Sequence, residues 1–564
     1  MKKLISLLLA LIMVFALAAP AFAIAPLNPD YEVPTILLRG DGTDIYDATG
    51  EKIVWPVSLG DEEGDKDILI DSIIDVIFPH LVTGLLTGNY EGYYEAFYQA
   101  VLPLFDEAQL DCNGDASNGT IIDPEKTRYN VERMTYSNIR HWDGDYRYDM
   151  DDYSFYYDWR RSPLETAKEL DAYITRVMQL TGAKQINLIG LCLGGCPVTA
   201  YLDLYLDKLA NGTAPYIKNV FYDATVMNDC DAFTDAFRGK LDLNADGLKR
   251  FMDEYADKDE NTFEGIGDTV PFLNEILFTT YDLLRETGVA TDVFGSFEDF
   301  YAVIAGGLVP KIAIAAHGSF PGYWASVQPE YYEEAKAFVF GEPGSEMYEE
   351  YKGLIAKNDK YFEEVGYRTR EIITACQESG IHFGAVAKYG RQLFPFVESQ
   401  DEIADGLVTL ESASFGATTS LVGKTLSEDY IAERVALGFG DYISADKQVD
   451  LSTSFLKDTT WIIKNSSHHD WGDEEEIVNN FIWSTGLTTE SEGAHPRFML
   501  FDPATETLSE LTADNKDETI WEDTPTLEEE STIWTKLAAL MRWLTTMLKF
   551  ILHLTNENPG PAPV

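Results

Sequence analysis

Apolar runs of strand length alternate with longer amphipathic stretches along this chain, and that alternation predicts an α/β fold. Val33-Pro34-Thr35-Ile36-Leu37-Leu38 reads as a buried strand entering a glycine-punctuated loop, Arg39-Gly40-Asp41-Gly42-Thr43. Tyr153 to Arg160 reads as a strand with a polar end. From Ser162 the period lengthens: Leu164, Ala167, Leu170, Ile174 and Val177 form a helical stripe. Ser162 is the expected N-cap, Pro163 the first residue, Glu165 the capping-box partner and Gly182 the stop. Ile186-Asn187-Leu188-Ile189 is the next strand, followed by the turn Gly190 to Gly195, a helical segment from Cys196 to Leu206, and a further strand from Ile217 to Tyr222. This order predicts a parallel sheet with helices on both faces.

Beyond Tyr222 the pattern stays helical for more than a hundred residues, with members at Ala245 to Tyr255, Val270 to Glu286 and Tyr331 to Phe340. Core strands return at Ile381 to Lys388 and Thr459 to Lys464, and a helix follows from Glu474 to Trp483. The expected organisation is a core of residues 24–224 and 346–500 interrupted by a helical cap at 225–345. An acidic linker is expected at 501–531, and 532–555 has the pattern of an amphipathic helix. There Ile533, Trp534, Leu537, Leu540, Leu544 and Leu548 share a face, with Lys536, Arg542 and Lys549 towards the other. Such a helix suits a membrane surface, the protein body or a second copy of the chain.

Residues 1–23 have the form of an export signal: Lys2 and Lys3, an apolar stretch from Leu4 to Leu17, then Ala21-Phe22-Ala23 as a cleavage site. The mature protein is expected to start near Ile24 and to be secreted, either released or associated with the cell surface. The formal net charge is −53, and loss of the two lysines makes it more negative still. That charge argues against a nucleic-acid partner and serves solubility. With 45% hydrophobic residues the chain can bury a large core. Five cysteines are too few for a disulfide scaffold, and the odd number leaves a thiol unpaired within the chain. Cys192 is the candidate free thiol, and Cys196, on the same helical face, reads as core.

The chemistry centres on Gly190-Leu191-Cys192-Leu193-Gly194-Gly195, which matches the nucleophile-elbow pattern G-x-S-x-G with cysteine at the centre. The turn is sharp, so positions two before and two after the nucleophile must lack side chains. The backbone N–H of Leu193, with one from Asp41 or Gly42 in the first loop, would form an oxyanion hole. Cysteine needs a base and an orienting carboxylate, in the chain order nucleophile, acid, histidine. His468 and His469 lie in the loop between the last core strand and the final helix; Asp405 and Asp401 are candidate acids. Asp242, Asn244, Asp246 and Asp253 form a partial calcium-loop match, read first as a capped helix start. With no CxxC, HExxH, P-loop or dinucleotide fingerprint, no cofactor is expected.

Several segments resemble one family, the lecithin:cholesterol acyltransferase-like branch of the α/β-hydrolases and lipases. They are Tyr157-Asp158-Trp159-Arg160 with the elbow behind it, Pro321-Gly322-Tyr323-Trp324, and Asp405-Gly406-Leu407-Val408, with Pro34 to Gly42 also fitting. The resemblance spans roughly Val33 to Trp483. It implies an α/β-hydrolase core with a cap and selects Asp405 as the acid. It selects His468 as the base, because Trp471 and Ile477 complete the pattern of that loop. The implied activity is hydrolysis or transfer of an acyl ester, with a lipidic substrate expected, by an esterase-like enzyme with a Cys-His-Asp triad. The family has serine at the elbow; cysteine there is similar to polyhydroxyalkanoate synthases and dienelactone hydrolases. A non-catalytic surface-associated binding protein on the same scaffold is the alternative reading.

Overall fold

Among the described residues seven strands build the central sheet, and their order across the sheet follows their order along the chain. They are β1 (Thr35–Leu38), β2 (Ile186–Leu191), β3 (Ile217–Asp223), β4 (His382–Tyr389), β5 (Thr460–Lys464), β6 (Phe498–Asp502) and β7 (Thr507–Glu510). The first six pair in parallel and β7 closes one edge antiparallel to β6. The computed structural model describes residues 33–40, 44–55, 76–84, 87–123, 153–227, 229–241, 314–393, 397–468, 474–503, 505 and 507–517. The expected signal segment, the expected helices at Ala245 to Tyr255 and Val270 to Glu286, the calcium-like loop and the segment 532–555 lie outside the described residues.

The inner strands are mostly apolar because both faces are covered: all six residues of β2 are buried. One face carries α1 (Pro163–Thr181), α2 (Gly195–Ala210) and α6 (Thr369–Glu378), with α2 packed between the other two. Between α2 and α6 the chain forms α3 (Asp231–Arg238), α4 (Tyr332–Phe340) and α5 (Lys352–Glu364). On the other face, α7 (Glu475–Trp483) sets Phe481 against Phe221 of β3 and Trp461 of β5. Among the described residues no helix is long and apolar enough to cross a membrane.

Three local expectations differ from the structure. Tyr153 to Arg160 forms a single parallel bridge, Ser154 to Leu37, in place of a full strand. Its rings are committed to packing: Phe155 stacks on Tyr157 and leans on Tyr173. Ser162 does not cap α1 with its side chain, and Glu165 turns instead to Arg161 at 3.0 Å and Lys357 at 3.1 Å. Two cations offer charge-assisted bonds that outcompete one backbone N–H. Part of the expected acidic linker is the edge strand β7, whose mostly exposed residues include Thr507 and Glu510. Gly182, with φ of 71°, ends α1 as expected.

Candidate active site

The turn from β2 into α2 holds Cys192 at φ of 54°, a left-handed conformation that a non-glycine residue adopts at a cost. Close packing enforces it. A Cβ on Gly194 would lie 2.2 Å from the Leu38 carbonyl oxygen, one on Gly195 2.0 Å from Thr225 Oγ1, and one on Gly190 2.9 Å from the Gly195 Cα. All three positions therefore require glycine. The Thr225 hydroxyl donates to the Cys192 carbonyl at 3.2 Å and fixes the apex from behind.

His468 Nε2 lies 3.1 Å from Cys192 Sγ, and its Nδ1 lies 2.9 Å from Asp405 Oδ2. The two outer residues are 276 and 63 positions from the histidine, so only the sheet can bring them together. Asp405 closes a tight turn with Gly406 at φ of 103°. Its Oδ1 accepts the N–H groups of Leu407 at 3.0 Å and Val408 at 2.8 Å. The His468 N–H also donates to the Asp405 carbonyl at 2.7 Å, so His468 and Asp405 are tied through backbone as well as side chain. Burial by itself raises the Asp405 carboxyl. His468 and the two amides act the other way and hold it below the usual carboxylate range.

Among the described candidates, the structure thus joins Cys192, His468 and Asp405 in one hydrogen-bonded row. Asp401 is exposed, and its backbone carbonyl accepts the Val422 N–H. His469, Asp41 and Gly42 lie outside the described residues, as does the calcium-like set Asp242, Asn244, Asp246 and Asp253. Leu193 sits just past the sulfur at the start of α2, where the helix N-terminus favours negative charge. Among the described residues no group of His, Cys, Asp and Glu is arranged to hold a metal. None of the five cysteines, all among the described residues, is in a disulfide. Cys196 is fully buried, and burial pushes its thiol up to about 12, as suits a core residue.

Two features escaped the sequence reading. A Cβ on Gly40 would lie 3.1 Å from Cys192 Sγ and 3.2 Å from the Leu193 nitrogen, so glycine there keeps open the space in front of both. The loop glycine was visible in the sequence, but its neighbour across the fold was not. Arg160 is fully buried and binds Asp158 at 2.7 Å, the Ala108 carbonyl at 2.7 Å and Thr120 Oγ1 at 3.1 Å. Tyr157 donates its hydroxyl to the Arg39 carbonyl at 2.8 Å, and the Gly322 N–H donates to the Arg160 carbonyl at 2.9 Å. Tyr157 to Arg160 therefore brace the first loop against Pro321 to Trp324. Neither the family models nor the curated proteins compared with this chain match it.

Proposed function

We propose that this chain is an exported acyl-ester hydrolase or acyltransferase of the α/β-hydrolase type, working through Cys192, His468 and Asp405. The observation that carries this reading is the row from sulfur to imidazole to carboxylate, 3.1 Å and 2.9 Å, at the apex of a strained strand-to-helix turn. His468 Nε2 takes the thiol proton while Asp405 accepts Nδ1–H and fixes the tautomer. The sulfur attacks the acyl carbonyl and a C–S bond forms. The oxyanion rests on the Leu193 N–H and on an N–H of the loop after Gly40, at Asp41 or Gly42. Collapse breaks the C–O bond, and the imidazolium gives its proton to the departing alcohol. Water or a second alcohol, deprotonated by His468, then attacks the thioester and releases the thiol.

An apolar acyl group is what the family resemblance implies. Trp159 packs on Phe320 and Tyr323, Trp55 on His317 and Phe320, and Phe233 stacks on Tyr323 with ring centres 4.2 Å apart. These rings join the core to residues 314–340, which supports reading that region as part of a cap. The test is a panel of esters of increasing acyl length, run with and without an acceptor alcohol. Alcohol release should depend on both Cys192 and His468, and the acid-to-new-ester ratio separates hydrolysis from transfer. No release from any ester, with thiol labelling of Cys192 indifferent to His468→Ala, would instead favour a binding role.

A further inference from the structure

We infer that the buried ion pair between Lys388 and Glu474 is a positioning element that holds His468 in reach of Cys192; this rests on the triad reading above. The loop that carries His468 runs from Asn465, just past β5, to Glu474, just before α7. Both of its feet stand on the end of β4. At the first foot, the Asn465 N–H donates to the Tyr389 carbonyl at 2.7 Å. Gly390, at φ of 107°, leaves room for this contact, since a Cβ there would lie 2.8 Å from the Asn465 nitrogen. At the second foot, Lys388 Nζ meets the Glu474 carboxylate at 2.7 Å, and both side chains are fully buried.

Adjacent residues of one strand thus set the span of the loop, and His468 sits between the feet. Lys388 lies opposite Ile463 in the β4–β5 pairing and is fully buried. Burying two charges is a poor way to gain stability, because well-packed apolar side chains of similar volume serve as well or better. An ion pair at 2.7 Å between two fully buried side chains, unlike an apolar contact, ties one particular atom of β4 to one particular atom at the start of α7. The chemistry of the pair therefore fits placement of the helix start, and through it of the histidine. The same strand end also orders the acid: Arg391 bridges to Asp405, and Arg391-Gln392 pair with Ile403-Ala404.

The test compares Glu474→Gln and the double variant Lys388→Met/Glu474→Leu with wild type and His468→Ala. It reads melting temperature, the rate of Cys192 alkylation by iodoacetamide at pH 7, and kcat and KM on a p-nitrophenyl ester. The double variant should melt like wild type yet alkylate at the slow rate of His468→Ala. Its kcat should fall roughly 100-fold, with KM changed less than about twofold. Glu474→Gln, nearly isosteric, should show the same slow alkylation and covers the case in which the double variant does not fold. Wild-type alkylation and kcat in a folded double variant, or in Glu474→Gln, overturn the inference while leaving the triad intact. Equal alkylation of wild type and His468→Ala overturns the triad reading and this inference together.

Discussion

Replacing Asp405 with asparagine changes one oxygen to an amide and should nearly abolish turnover while leaving the fold in place. The carboxylate has two jobs: Oδ1 accepts two backbone N–H groups and Oδ2 accepts from His468. Asparagine has a single oxygen. Turning it to the two amides satisfies both donors and points the NH2 group at His468 Nδ1. The imidazole must then carry its proton on Nε2, which faces Cys192 Sγ and can no longer take the thiol proton. Loss of tautomer control in such a triad costs on the order of 10⁴ in kcat, or about 5.4 kcal/mol at 1.36 kcal/mol per tenfold. The stability cost should be smaller, about 1–2 kcal/mol, the difference between charged and neutral hydrogen bonds. Burst kinetics with a p-nitrophenyl ester and a thermal melt on the same preparations test both. Turnover within tenfold of wild type in a folded Asp405→Asn protein would refute the role given to the carboxylate. The pH dependence has a definite sign. A carboxyl held below its ordinary value stabilises the fold above its unfolded pKa, near 4, and loses that contribution as pH falls through the folded value. The variant should therefore lose less stability than wild type as pH falls below about 4.

Two further outcomes follow from packing and charge. Gly194→Ala drives a methyl group to 2.2 Å from the Leu38 carbonyl, so the elbow must shift away from the first loop. A stability loss of about 1–3 kcal/mol and a fall of roughly 100-fold in kcat are expected, and a fully active, equally stable variant would contradict the geometry. On α3 and the acid loop, burial raises the carboxyls of Asp235, to about 6, and Glu402, to about 7, aided by neighbouring Asp231. Raised carboxyl values mean that the fold binds protons the unfolded chain releases, so this contribution to stability is present at low pH and is lost as pH rises from about 4 through 7. Melting temperatures from pH 5 to 8 should show that decline, and Glu402→Gln should flatten it; an unchanged slope removes Glu402 as a cause.

The parts of this molecule written in consecutive residues could be read from the chain alone. β2 to β5 are mostly apolar segments of strand length, and α1 carries a full helical stripe with Pro163 at its start and Gly182 at its end. The elbow was visible for a steric reason, since only a packed turn demands glycine at 190, 194 and 195. What depended on partners far along the chain was not visible. Glu165 found Lys357 in place of the helix start, and β7 exists only because β6 offers an edge. Gly40 gains its meaning from a sulfur about 150 residues away, and neither Arg160 nor the Lys388–Glu474 pair announces its burial in sequence. The choice of Asp405 over Asp401 rested on resemblance; burial and two backbone amides supply a physical reason for it.

The most direct test is to look for the covalent species itself. Mixing the protein with an activated acyl ester, quenching in acid and mapping the adduct by mass spectrometry should find one acyl group on Cys192. The adduct should be released by hydroxylamine, be absent from Cys192→Ala and form far more slowly in His468→Ala. An acyl group on any other residue, or none while the ester is still being cleaved, would contradict a thioester mechanism at this site.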